Sequence, residues 1–209
     1  MCKSTCCTKS RSVIVQKDSP IQSIKDLKGK RVALNKGSNV HYLLLKVLEA
    51  NHLSLSDIQP VYLPPSDARA AFEKGAVDAW VFGIRSLQQL NINSGPVLAT
   101  GENLVSNHQF YLADRKFAEN NPKVLNTVVQ TLNQTTEWVS THQDEAAKLL
   151  EKPTALEFDV LKLISRMGFG VQPISDKVAQ EQQYVADAFY AQKLIPNKLT
   201  IQEAILKLK

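Results

Sequence analysis

Two observations predict an α/β fold for this chain. Short apolar runs alternate with helical patterns from residue 13 to about residue 113, and from Pro122 onward helical patterns stand alone. The expected architecture is one complete α/β lobe over residues 13–108 with a parallel-rich sheet. Residues 109–209 then supply one more strand and the helices of a second, partial lobe, and residues 1–12 form an unrelated or disordered segment.

Val13-Ile14-Val15 reads as the first strand, and Ser19-Pro20-Ile21 turns the chain into a brief helix around Ile24 to Leu27 that Gly29 closes. Arg31-Val32-Ala33-Leu34 is the next strand. Behind the Gly37 turn, Val40, Leu43, Leu44, Val47 and Leu48 fall at i, i+3, i+4, i+7 and i+8, which predicts a helix with one buried stripe. Pro60 to Leu63 forms a strand, Ser66 to Lys74 a helix, and Val77 to Phe82 a strand entered through Gly75. Right-handed crossovers make these strands parallel and gather the loops after Leu34, Leu63 and Phe82 at one end, where ligands bind in such sheets. Val97 to Ala99 and Gln109 to Ala113 add two strands. Beyond them, a long helix carries Leu125, Val128, Val129, Leu132, Thr136 and Val139, and another spans Ser175 to Gln192. These stripes have no sheet of their own to cover, so the second part lacks a partner layer; a dimer through the stripes is one way to cover them.

Composition bounds the function. A hydrophobic fraction of 44% with 22% charged residues is that of a folded chain. Of the formal charge of +5, three positive charges sit on Lys3, Lys9 and Arg11, and basic residues are not interleaved with aromatics, which argues against nucleic acid as a partner. No apolar stretch approaches the roughly 20 residues of a membrane-crossing helix. Cys2, Cys6 and Cys7 are the only cysteines. A cysteine-free body suits an oxidising compartment, while the opening segment has neither the fourth ligand of a zinc site nor the apolar core of a signal peptide. No nucleophile with its base, paired carboxylates or metal-spaced His and acid cluster emerges; His41, His52, His108 and His142 are far apart and no Gly-x-Ser-x-Gly elbow exists. Catalysis is therefore not expected from these residues, nor a cofactor or a metal.

Lys36-Gly37-Ser38-Asn39 lies between a strand and a helix, so Gly37 can make the turn while Ser38 or Asn39 caps the helix. Such a terminus attracts anions, but spacing alone does not separate an anion site from an ordinary cap. His41 in the first turn is either a donor to an anion or a packing residue, and Asp67 is either a first-turn helix acid or a ligand contact. Trp80 is either a core aromatic or a cleft wall. His108 has no sequence partner.

Ser19-Pro20-Ile21, Asp26 to Ala33, Lys36 to Leu44, Leu63 to Phe72 and Val77 to Trp80 together resemble the aliphatic sulfonate-binding proteins of bacterial ABC transporters. Asn107 to Ala113, Gly170 to Pro173 and Leu194 to Pro196 extend the resemblance over nearly everything after residue 13. It implies a periplasmic-binding-protein-like fold of two α/β lobes with a small anionic ligand between them, delivered in the periplasm to a permease and an ATPase. It also implies that residues 18–108 are the second lobe, that the helical remainder belongs to the first, and that the first half of that lobe ordinarily precedes them. By resemblance, Gly37, Ser38, Asn39 and His41 face the sulfonate, with Asp67, Trp80 and His108 as cleft residues. One departure is the stretch Val81-Phe82-Gly83-Ile84-Arg85-Ser86, where family members often carry a second Trp and an Asp-Pro-aromatic turn; Arg85 is then a replacement anion contact or a solvated side chain. The function implied is capture of an alkanesulfonate, or an anion such as taurine. The alternatives are a remnant with impaired binding, or an enzyme of the same fold that handles thiamine precursors.

Overall fold

The computed structural model describes residues 11–83, 94–154, 158–165 and 171–206. The described residues divide into two compact units: those of 11–107 with 183–199, and those of 108–182 with 200–206.

The first unit is built on a sheet. Its strands are β1 (Arg11–Gln16), β2 (Arg31–Leu34), β3 (Gln59–Tyr62), β4 (Ala79–Gly83) and β5 (Ser94–Thr100), in the order β3-β2-β4-β1-β5. Helix α1 (Asn39–Ala50) links β2 to β3, and α2 (Pro65–Glu73) links β3 to β4. These two crossovers make β2 parallel to both β3 and β4. The expected parallel-rich sheet stops there: β1 runs antiparallel to β4 and to β5. Between β1 and β2 the only helix is a 3-10 turn, Ile24–Leu27, so the chain re-enters the sheet at the end it left and β1 points the opposite way.

Both faces of the sheet are covered, which explains why its strands read as unbroken apolar runs. Val13, Val15, Val32, Leu34, Ala79 and Val81 face α1, whose Leu43, Leu44, Val47 and Leu48 are buried against them as the stripe predicts. Ile14, Ala33, Trp80 and Phe82 alternate to the other face and pack with Ala68 and Phe72 of α2. β1 starts at Arg11, two residues ahead of the expected strand, and Arg11 and Ser12 are buried. At the opposite end of the sheet, Asp78 binds β2 to β4. Its carboxylate accepts from the Arg31 backbone N–H at 2.7 Å, from Nε at 3.2 Å and from Nη2 at 2.9 Å.

The second unit is helical: α3 (Arg115–Asn120), α4 (Pro122–Thr141), α5 (Gln143–Thr154), α6 (Phe158–Ser165), the first part of α7 (Asp176–Ala191) and α8 (Ile201–Ala204). Asp114 caps α3 by accepting from the Phe117 N–H at 2.9 Å. The expected strand from Gln109 to Ala113 is absent; those residues have no regular structure, and Leu112 is 93% exposed. A strand needs a neighbour to take its backbone hydrogen bonds, and among the described residues none pairs with this segment. Helix α4 has no buried residue, so its stripe from Leu125 to Val139 is at best half-covered. Among the described residues no helix is long and apolar enough to cross a membrane.

Candidate functional site

The turn between β2 and α1 is shaped by Gly37, whose φ of +72° lies in the left-handed region that a side chain would strain. Ser38 occupies the N-cap position with extended backbone, φ −95° and ψ 176°. Its hydroxyl does not cap the helix: it turns back and donates to the Asn35 carbonyl at 2.7 Å. Asn39 is also engaged elsewhere, its Nδ2 donating to Asn107 Oδ1 at 3.3 Å. Both capping residues expected from the sequence are therefore present and neither caps. That leaves the N–H groups of the first turn without a side-chain acceptor, the condition in which a helix start receives an anion.

Two cations accompany this turn. Lys36 Nζ stands 5.2 Å from the centroid of the Tyr62 ring at the end of β3. Arg11, buried in β1, donates through Nη1 to the Asn39 carbonyl at 3.4 Å and through Nη2 to the Ser106 carbonyl at 3.0 Å. Arg11 thus ties β1, the start of α1 and the segment that carries Asn107 to one another. Sequence reasoning counted it only as charge in a loose tail, and nothing in its neighbours signalled burial.

His41 is fully buried, so it is not a surface donor to a ligand. Its Nδ1 accepts the Gly37 N–H at 3.1 Å, and its ring lies 5.7 Å from Tyr62 and 5.8 Å from Phe189. Burial and the nearby Lys36 charge both push its pKa below the ordinary histidine value. The neutral ring carries its proton on Nε2, an atom with no hydrogen-bond partner. Leaving that donor unmet costs on the order of 1–3 kcal/mol.

The remaining expected residues separate. Asp67 is exposed in the first turn of α2, where Ser66 Oγ donates to it at 3.3 Å. Because β2 and β3 are parallel, α1 and α2 both begin at the carboxyl end of the sheet, so Asp67 and the Gly37 turn share that end. Trp80 is 2% exposed, packed between Phe72 and Phe82 on the α2 face, which makes it a core residue and not a cleft wall. His108 belongs to the helical unit, where its Nε2 is paired with Glu181 at 2.6 Å. Arg85 lies outside the described residues. Among the described residues no group of three or more His, Cys, Asp or Glu side chains is placed to hold a metal.

The family model described as NMT1/THI5 like matches residues 5–146. Over 200 residues the chain is 37% identical to a protein of Escherichia coli strain K12 named for binding aliphatic sulfonates, covering 94% of this chain and 63% of that relative. The chain thus spans less than two thirds of the length of this curated relative. The crystal structure of the periplasmic aliphatic sulphonate binding protein SsuA from Escherichia coli superposes with a TM-score of 0.87 at 35% identity, covering 97% of this chain and 67% of that one. The alkanesulfonate-binding protein SsuA from Xanthomonas axonopodis pv. citri, bound to MOPS, gives 0.82 at 36%, covering 95% and 70%. The fold alone is shared with the desulfurization enzyme DSZB, at a TM-score of 0.62 and 15% identity over 95% of this chain and 74% of that one.

The class is therefore an α/β protein of the periplasmic-binding-protein-like fold. More narrowly, the chain belongs to the NMT1/THI5-like family and stands with its aliphatic sulfonate-binding proteins.

Proposed function

We propose that this chain is the solute-binding component of an ABC importer, taking up alkanesulfonates, or a related small anion such as taurine, as a source of sulfur. The single observation that carries this reading is the uncapped start of α1, with Lys36 and Arg11 beside it, in a chain 36% identical to an alkanesulfonate-binding protein. A sulfonate presents three oxygens, which suits the free N–H groups of Ser38, Asn39 and Val40. The Gly37 N–H is not among those donors, because His41 holds it. Asp67 on the neighbouring helix start repels a sulfonate and suits the ammonium of taurine. The lobe that carries this seat comprises the described residues of 11–107 with 183–199, and those of 108–182 with 200–206 supply helices of the other lobe. The protein works in the periplasm and hands its ligand, unchanged, to a permease and an ATPase.

Titration calorimetry of the folded chain with ethanesulfonate, pentanesulfonate and taurine, in a buffer free of sulfonates, tests the reading. Heat that saturates at one equivalent supports it; absence of heat with all three refutes it. One observation favours a second reading, a receptor with impaired binding: no residue of the apolar stripe of α4 is fully buried. That reading predicts binding too weak to saturate at millimolar ligand.

A further inference from the structure

We infer that His41 is a positioning residue of the sulfonate seat, its buried Nδ1 holding the Gly37 N–H and thereby fixing the direction of the free N–H groups at the start of α1. The inference rests on the sulfonate reading for what the seat holds, and on geometry alone for the clamp itself.

An ordinary helix start is fastened by its N-cap side chain. Here Ser38 and Asn39 are both turned to other partners, so the fastening comes from one turn further along, through a residue four positions after Gly37. Gly37 is left-handed, and nothing lies within 4 Å of the position a Cβ would take, so no packing on that side braces the turn. It is held by this bond. The imidazole itself is fully buried, and Tyr62 of β3 and Phe189 of α7 flank it, which restricts its swing. The unpartnered Nε2 is the mark of this arrangement: the ring is oriented for its Nδ1 bond while its other nitrogen is left unmet.

The clamp has a chemical condition. Nδ1 accepts only while the ring is neutral, and a protonated ring would turn an N–H against the Gly37 N–H. The titratable groups facing the ring are Lys36 on the turn and Tyr62 on β3, while α7 presents the uncharged Phe189. Burial and the Lys36 charge both favour the neutral ring. Acid should therefore loosen the seat. A histidine touching the anion would do the reverse, since protonation would add a charge-assisted donor. A sulfonate stays ionised throughout, so the ligand itself introduces no pH dependence.

The test uses the folded chain and two variants. His41→Asn places a non-titrating carbonyl oxygen where Nδ1 stands, and His41→Phe keeps the ring but removes the acceptor. Amide hydrogen exchange followed by NMR, without ligand, should show Gly37 protected in the parent and in His41→Asn, and exchanging about tenfold faster or more in His41→Phe. An unprotected Gly37 in the parent, or a folded His41→Asn that has lost the protection, overturns the clamp whether or not His41→Phe folds. Calorimetry with ethanesulfonate from pH 8 to pH 5 supplies the second readout. Affinity falling with acid in the parent and flat in His41→Asn supports the inference, and affinity rising with acid overturns it. If the parent gives no heat at any pH, the sulfonate reading fails, and the exchange data alone decide the clamp.

Discussion

Replacing Trp80 separates core from binding site. The indole lies 5.8 Å from the Phe72 ring and 5.0 Å from the Phe82 ring, in tilted contacts on the α2 face of the sheet. Burying an aromatic of this size removes about 150–250 Å² from water, worth about 4–6 kcal/mol at about 25 cal/mol/Å². That is an upper bound, because the unfolded chain already hides part of this surface. Measured truncations of buried aromatics to alanine cost about 3–5 kcal/mol, a large part of a typical total of about 5–15 kcal/mol. Trp80→Ala should therefore shift the urea midpoint far down, followed by circular dichroism so that Trp138 does not confuse the signal. Trp80→Phe keeps a ring between its neighbours and should cost about 1–2 kcal/mol. At 25 °C in the absence of denaturant, the folded Trp80→Phe variant should bind ethanesulfonate within about twofold of the parent, since a loss of 0.4 kcal/mol is that factor. An alanine variant within about 0.5 kcal/mol of the parent would refute the core assignment. So would a Phe variant of unchanged stability that no longer binds.

Other consequences are equally direct. Gly37→Ala meets no steric neighbour, so its cost is the left-handed backbone alone, about 1–2 kcal/mol in denaturant unfolding, with weaker ligand affinity as the turn relaxes. Asn39→Ala loses one exposed hydrogen bond to Asn107 and should change stability by no more than about 0.5 kcal/mol, while lowering sulfonate affinity in calorimetry because the start of α1 is freed from its neighbour. Acid should weaken the fold in two windows, read by urea unfolding at stepped pH. His41 is held below its ordinary value, so its unfolded form takes up a proton first; stability is whole above about pH 6.5 and falls below it by at most about 1.4 kcal/mol per unit, until the folded ring also protonates. Asp78 is held below its ordinary value by the Arg31 hydrogen bonds, so its contribution is whole above about pH 3.9 and is lost as pH falls through its folded value. His41→Asn should flatten the first window, and Asp78→Asn should shrink the second without removing it, because hydrogen bonds from Ser23 and Ser54 also hold Asp26 and Asp57 below the ordinary carboxylate value.

The parts of the fold legible in the sequence are those with a one-sided pattern. Helix α1 has five apolar residues on one face, so its position and the side it turns to the sheet followed from spacing, whereas the burial of His41 and Tyr42 off that face did not. The strands gave their positions but not their directions. With apolar groups on both faces, β1 and β2 look alike, although they run oppositely in the sheet. The run from Gln109 to Ala113 is as apolar as a strand, but a run does not reveal whether a partner edge exists. At the site, Gly37 and its turn were visible because only a few residue types suit a strand-to-helix corner. The Gly37-to-His41 spacing of four was also on the page, and an i to i+4 contact across a helix start is the signal that could have found the clamp. Arg11 and the Glu181 partner of His108 carried no such signal, the latter being 73 residues away in sequence.

A series of straight-chain alkanesulfonates would show how much of a site this chain has. A helix terminus contributes about 0.3–2 kcal/mol toward an anion, and hydrogen bonds to a charged group about 1.5–3 kcal/mol each. Association itself costs several kcal/mol, so a head-group seat acting alone reaches no further than about millimolar, or −4.1 kcal/mol. Such a seat does not sense the alkyl chain. An apolar wall does: each methylene it covers adds about 0.8 kcal/mol, close to fourfold in affinity. A Kd that tightens about fourfold per methylene from methanesulfonate to pentanesulfonate would mean that the chain closes apolar surface over its ligand and works as a receptor. A millimolar Kd with no dependence on chain length would leave only the Gly37 turn at work, and the receptor reading would give way to that of an impaired one.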